Sequence, residues 1–378
     1  MRDVLIHADT VRSPTMRHEV PLGIPDAFLY VEHDGCRYAV ITAFERERVA
    51  AVAPDIELLP PEQFGADELL RSGTKLHDAL LEVYARALRE IGVAEAAVPP
   101  AFPTELADRL RADGVTLRVE RELFDDRRRR KSDVEIAGLR RAQRACEEAL
   151  DVARAMLRGS DHDGGVLRFE GEPLTSERIK AQMQQVFLAD GALAEEFIVA
   201  SGAQGAVGHD MGSGPISAGT SVVFDLWPRD AETAVHTDMT RTYVVGDVPD
   251  ELREYHRLCK QVLELTTEAV KPGVNGRDLM QIACDVFAEH GYPTQMTKKP
   301  GEVLDSGFFH GLGHGVGLEV HERPWMSVVG DDLVPGDVIT LEPGLYRAGY
   351  GGVRLEDIVL VTDSGAEVVT QYPYDLDP

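Results

Sequence analysis

An α+β fold in two domains, the larger one built as a duplicated unit, is what this sequence predicts. Three observations carry the prediction. The chain has 378 residues, which at roughly 150 per domain makes two or three domains with ample material for a core. A basic run, Arg127 to Lys131, separates a short mixed region from a longer one. In the longer region the order helix-then-strand-pair occurs twice, over about Ser132 to Gly246 and Asp250 to Asp363, as expected of two related units around one shared sheet.

The first region is a small α/β unit. Phe28 to His33 and Cys36 to Thr42 read as strands flanking Asp34-Gly35, a two-residue turn in which glycine accepts the positive φ that a tight hairpin needs. A helix from about Leu76 to Ile91 is closed by Gly92, a short helix begins at Thr104, and Val115 to Val119 reads as a strand. Nothing before residue 125 groups chemistry-bearing side chains. The run Arg127 to Lys131, with Asp125 and Asp126 before it, reads as a solvated linker over 126–132 rather than a nucleic-acid patch. Ser132 with Glu135 makes a capping box that starts a long helix reaching about Leu157.

Further helices are expected at about Ser176 to Asp190, Asp250 to Val270 and Gly276 to His290, and strands near Phe197 to Ala200, Ser221 to Trp227, Met239 to Val245, Val338 to Leu341 and Val353 to Val361. Gly159 to Pro173 reads as a loop or lid, and His162 between Asp161 and Asp163 as a solvated loop histidine.

Charge narrows the function. Lys and Arg number 39 against 65 Asp and Glu, a formal charge of -26, so the molecular field repels phosphate backbones and anionic bilayers. Nucleic acid and membrane are therefore not expected partners. Cysteines at 36, 146, 259 and 284 form no Cys-x-x-Cys pair or regular framework, as in a reducing compartment, and the start MRDVLIHADTVR lacks the apolar core of a secretory signal. A cytoplasmic protein is the expectation.

Two carboxylate pairs stand in apolar β contexts. Asp225 ends Ser221-Val222-Val223-Phe224 and Asp238 opens Met239 to Val245; Glu342 ends Val338-Ile339-Thr340-Leu341 and Glu356 lies within Val353 to Leu360. Residues opposed across antiparallel strands have Cβ atoms about 4.5–5.5 Å apart, so each hairpin can gather two acids, and packed hairpins four. At an effective dielectric of 20, each like-charged pair at ~4 Å costs roughly 4 kcal/mol, so protons or cations must intervene. Two divalent ions would balance the charge and generate a hydroxide nucleophile at neutral pH. Histidines follow: His310-Gly-Leu-Gly-His314-Gly-Val-Gly-Leu-Glu-Val-His321-Glu-Arg-Pro324 gathers three of twelve within twelve positions. Its glycines disfavour a helix, and imidazole can either ligate metal or donate to a developing oxyanion. His209 sits in a second Gly-rich turn, Gly208 to Gly214.

These motifs resemble those of the "pita-bread" metallopeptidases: creatinase, prolidase, aminopeptidase P and methionine aminopeptidase. The likeness covers about Ser132 to Thr370 and rests on Thr237-Asp238-Met239-Thr240-Arg241-Thr242, His310 to Pro324, Leu341-Glu342-Pro343-Gly344 and Arg354-Leu355-Glu356-Asp357. It implies a pita-bread catalytic domain over 133–378 with pseudo-duplicated halves, preceded over 1–125 by the smaller domain of prolidases and aminopeptidase P. It implies further that Asp225, Asp238, His314, Glu342 and Glu356 hold two divalent metal ions, Asp238 and Glu356 bridging. Manganese ranks first, with cobalt, zinc or iron next, since hard donors suit such ions. By the same resemblance Glu342 is general base, and His310 and His321 polarise the scissile carbonyl. His209 would line the substrate site, and Arg354 would orient a ligating carboxylate.

The implied activity is hydrolysis of an Xaa-Pro bond in dipeptides or short peptides, by a protein expected to be a homodimer with a narrowed entrance. The alternatives are a catalytically silent binding module or an aminopeptidase of other N-terminal specificity. One departure stands out. The family usually has glycine two residues after the first aspartate and eleven positions between the aspartates. Here Trp227-Pro228 follow Leu226 and the separation is thirteen, an enlarged loop from which Trp227 either packs inward or reaches substrate.

Overall fold

The computed structural model describes residues 2–162 and 165–378. Met1, the start of the expected first domain, and Asp163, beside His162 in the expected loop, lie outside the described residues. The chain divides into two compact units, Met1–Arg128 and Arg129–Pro378.

The first unit is built on a six-stranded sheet of β1 (Asp3–Ala8), β2 (Phe28–His33), β3 (Cys36–Val40), β4 (Ile56–Leu59), β5 (Glu95–Val98) and β6 (Thr116–Val119), in the order β4-β3-β2-β1-β5-β6. Asp34 and Gly35, at φ 49° and 81°, make the expected tight turn between β2 and β3. The helix Leu76–Ile91 buries Ala79, Val83, Ala87 and Leu88, one stripe at helical spacing, into the core on that sheet. Gly92 ends it in the left-handed conformation.

The basic run departs from the linker expectation over 126–132. Arg121–Arg129 is a helix, and Arg128 and Arg129 are buried. Within the second unit Arg129 forks onto Asp337, Nε to Oδ1 at 2.9 Å and Nη2 to Oδ2 at 2.7 Å, and Lys131 pairs with Glu322. Sequence-local acids suggested a solvated segment, but the acids that neutralise Arg129 and Lys131 lie 208 and 191 positions away. An Arg129→Met replacement leaves Asp337, which is 0% exposed, as an uncompensated buried charge. It is expected to cost about 3–5 kcal/mol, read as a lower urea midpoint at unchanged slope; a shift within error would make the pair dispensable.

The second unit opens with the helix Asp133–Arg158, whose capping box at Ser132 and Glu135 is formed. A small hairpin of β7 (Arg168–Phe169) and β8 (Glu172–Pro173) occupies the end of the expected loop. After the helix Ser176–Ala189 come β9 (Ala192–Leu193), β10 (Ile198–Ser201), β11 (Ser221–Leu226), β12 (Arg229–Asp230) and β13 (Met239–Val244). Strands β10, β11 and β13 form a three-stranded sheet, and β12 pairs with β9. The second pass repeats the order. Helices Asp250–Ala269 and Gly276–Glu289 precede β14 (Gly313–Gly315), β15 (Glu322–Met326), β16 (Val338–Leu341), β17 (Gly344–Arg347), β18 (Gly351–Arg354), β19 (Asp357–Val361) and β20 (Ala366–Val368). Each half has its own apolar core.

Two sequence expectations change. The halves do not share one sheet: a three-stranded and a five-stranded sheet, the latter ordered β15-β14-β16-β19-β20, meet where Glu356 N donates to Thr240 O at 3.0 Å. The run Val353 to Val361 is not one strand either. It breaks at Leu355-Glu356 because β18 pairs with β17 in a separate ladder, Gly344 opposite Arg354, before β19 pairs with β16, Leu341 opposite Asp357. Glu342 and Glu356 fall in the gap between these ladders, where the backbone is free to turn carboxylates inward. No described helix is long and apolar enough to cross a membrane.

Candidate metal centre

The first pair of acids comes from β11 and the start of β13. The register sets Asp225 opposite Thr240 and Leu226 opposite Met239. Asp238, two residues before Thr240, therefore shares its face and lies diagonal to Asp225, not directly opposite as the spacing suggested. The enlarged loop between them is pinned to the helix Asp133–Arg158. Arg141 forks onto Asp230 with both bonds at 2.9 Å, and Asp230 also accepts from Thr233 N and Oγ1. Trp227 is half-buried and packs against the first half's core, with its carbonyl accepting from His236 Nδ1 at 3.0 Å.

The histidine comes from β14. That strand runs between β15 and β16 so closely that a Cβ on Gly313 would lie 2.1 Å from Thr340 O, and one on Gly315 would lie 2.2 Å from Arg323 O. Only glycine fits on either side of His314, whose backbone N–H donates to Thr340 Oγ1 at 3.1 Å. Its Nδ1 faces Gly315 O at 3.1 Å, a carbonyl that can only accept, so the ring proton is assigned to Nδ1. The lone pair on Nε2 then faces Glu342 Oε1 at 3.6 Å and Asp238 Oδ2 at 3.9 Å.

Acceptor against acceptor in a buried site calls for a cation or protons between them. Asp238, His314 and Glu356 each offer a ligand atom within 4.8 Å of the others, and Asp238 Oδ1 is buried without a hydrogen-bond partner among the described residues. Burial first, then Glu356, Asp225 and Glu342, holds the Asp238 carboxyl far above the carboxylate range. Burial, then Glu342 and Asp225, does the same for Glu356, and burial pushes Glu342 to about 8 against the pull of Arg354. Burial also holds His310 and His314 down at about 3, so both are neutral. Acids kept protonated beside neutral imidazole are what a divalent-ion site looks like when protons replace the ions. The donor set, carboxylate oxygens and one imidazole, fits such ions.

A polar frame holds these ligands. Arg354, 5% exposed, donates to the Asp225 carboxylate, to Thr240 Oγ1 at 3.2 Å and to Tyr346 OH at 2.9 Å. Thr240 in turn donates to Glu356 Oε2 at 2.7 Å. Thr240 and Tyr346 went unnoticed as framing residues in the sequence; the one signal was their position inside the quoted aspartate motif and just beyond the first glutamate motif.

Tyr346 also redefines His310. His310 Nδ1 faces Gly311 O at 2.7 Å and so carries the ring proton, while Nε2 takes the proton of Tyr346 OH at 2.9 Å. With both nitrogens engaged, His310 has no N–H to offer a substrate carbonyl in this arrangement, which differs from the expected polarising role. His321 is exposed, its ring centroid 4.3 Å from that of His314. His209 is exposed too, close enough that it helps hold the imidazoles of His310 and His321 neutral. The structure thus brings all nine sequence-selected side chains to one place.

Comparison with known proteins agrees with this geometry. The profile of metallopeptidase family M24 matches residues 137–363. A Xaa-Pro dipeptidase of Pyrococcus furiosus is 36% identical over 197 residues, 51% of this chain and 53% of that protein; the chain thus spans about half the length of the curated relatives it matches. Among solved structures, the prolidase of Pyrococcus horikoshii OT3 is 25% identical with TM-score 0.76, covering 100% of this chain and 95% of its own. An X-Pro aminopeptidase of Thermotoga maritima, 22% identical with TM-score 0.77, covers 99% of this chain and 97% of its own, a likeness of fold. With the pita-bread fold, and with the profile spanning both halves of the second unit, the chain belongs to metallopeptidase family M24.

Proposed function

We propose that the chain is a dinuclear metal-dependent exopeptidase that hydrolyses the Xaa-Pro bond at the N-terminus of dipeptides or short peptides. The observation that carries this reading is the cage itself: a proton-free imidazole nitrogen facing buried carboxylates, one with an orphaned oxygen. Relatives named Xaa-Pro dipeptidase support the substrate class.

Asp225, Asp238, His314, Glu342 and Glu356 would hold the two ions, with manganese the first candidate. When bound, such ions supply Lewis acidity that polarises a carbonyl and lowers the pKa of a water. Glu342, whose side chain keeps 19% exposure, takes the proton of the attacking water on a carboxylate oxygen. His321 and His209, the exposed imidazoles, contact the scissile carbonyl and carry a proton toward the leaving amine. Arg354 fixes Asp225, and Tyr346 fixes His310 beside Glu342. Four free cysteines are in keeping with a cytoplasmic setting; a homodimer is checked by light scattering.

The test is hydrolysis of Ala-Pro beside Ala-Pro-Ala by manganese-loaded protein, with chelated protein as control. Release of free proline from Ala-Pro alone identifies a dipeptidase, and release of Ala from the tripeptide an aminopeptidase P. No cleavage of either with manganese, cobalt, zinc or iron overturns the proposal in favour of a silent binding module or another N-terminal specificity.

A further inference from the structure

We propose that Lys131, through a buried ion pair with Glu322, is a positioning residue that sets the relative placement of His314 and His321. The inference rests on the peptidase reading for its kinetic arm only. Glu322 occupies a singular place: it follows His321 in the chain, and across the ladder it is the partner of Gly315, which follows His314. One side chain therefore stands at the base of both histidines. The β14–β15 ladder slips between His314 and Gly315, so that His314 pairs with Trp325 while Gly315 pairs with Glu322. Such an irregularity disrupts the ladder locally and re-aims a side chain.

What holds Glu322 at the slip is Lys131. The Lys131 side chain is 3% exposed and that of Glu322 2%, and Lys131 Nζ pairs with Glu322 Oε1. The loop joining the two histidines folds over this pair. A Cβ on Gly317 would lie 2.7 Å from both Lys131 Cε and Glu322 Oε1, so the ion pair is packed directly beneath that backbone. The same Gly317 accepts from His236 N at 2.7 Å, two residues before Asp238. A buried lysine replaced by an apolar stem takes away the charge against which the Glu322 carboxylate is packed, so the carboxylate shifts. That moves the strand end, and with it the imidazole pair whose centroids are 4.3 Å apart. This also gives the basic run, which the metal centre leaves unused, a place in the chemistry.

The experiment is a double-mutant cycle of Lys131→Met with His321→Ala, read on Ala-Pro with saturating manganese. Lys131→Met is expected to lower kcat by about tenfold or more while KM changes less than about threefold, and to cost less than about threefold when His321 is already Ala, because coupled groups are non-additive. An equal loss in both backgrounds makes the pair merely structural and overturns the proposal, as does an unchanged kcat. If Lys131→Met does not fold, the double replacement Lys131→Met, Glu322→Gln, which removes both charges, takes its place in the cycle under the same criteria. A second readout does not need turnover: in metal-free protein the imidazole 1H–13C resonances of His314 and His321 are expected to shift in Lys131→Met, and that of His209 to stay. Unmoved resonances of the first two refute the positioning role even if no peptide is cleaved, whereas shifted resonances without wild-type turnover refute the peptidase reading alone.

Discussion

Glu342→Gln is expected to lower kcat on Ala-Pro by about 10²- to 10⁴-fold, the range of a positioned general base. The replacement is isosteric, so packing is kept, and it removes a group that burial holds up at about 8 in the metal-free fold. Its backbone N–H, bonded to Leu312 O at 2.7 Å, is untouched. The metal-free variant should therefore melt no lower than metal-free wild type near neutral pH, which separates lost chemistry from lost structure. Turnover within a fewfold of wild type would remove Glu342 as the base.

The second large effect is on metal itself. Asp238→Asn is expected to weaken manganese binding by more than the roughly 10- to 100-fold that follows loss of an outer partner of a ligand, because Asp238 is a donor at the centre of the cage. Titration calorimetry reads it directly, and an unchanged affinity would take Asp238 out of the site.

The wild-type pH dependence follows from the same charges. Glu342 has a folded pKa of about 8 against an ordinary 4.5. A raised carboxyl contributes stability that is complete below its unfolded pKa and is lost as pH rises through the folded one. Metal-free protein should therefore lose stability across that window. Ions compete with those protons, so apparent manganese affinity should rise over the same range. The gap between melting temperatures with and without manganese is thus expected to widen from about pH 5 to about pH 9; a narrowing gap would contradict the assignment. On the acid side His310 and His314, at about 3 in the fold against 6.5, contribute stability that is complete above 6.5 and is lost as pH falls toward 3.

Much of this centre was legible in order along the chain. Asp225, Asp238 and Glu342 declared themselves as acids at the ends of apolar strands and Glu356 as an acid within one, where an unpartnered charge is costly enough to need a reason. His314 was marked by glycines whose role turned out to be steric, with Thr340 O and Arg323 O pressed against the places where side chains would begin. Helix limits were legible where local chemistry sets them, at the Ser132 capping box and at Gly92. The split of Val353 to Val361 was not, because each half of that run is apolar and only its two different partners, β17 and β16, distinguish them. Nor was the role of Arg129 and Lys131, whose neutralising acids, Asp337 and Glu322, lie far down the chain.

By itself, then, the sequence determined which chemical groups are present, their order and the α+β duplication that carries them, since these follow from local pattern: residue type, strand alternation and caps. Tertiary structure alone decided which nitrogen of His314 faces the acids, that His310 spends both of its nitrogens on Gly311 and Tyr346, and that Arg354 rather than a neighbour holds Asp225. The physical reason is that proton placement and charge depend on burial and on partners within a few ångströms, and those partners come from strands a hundred residues apart.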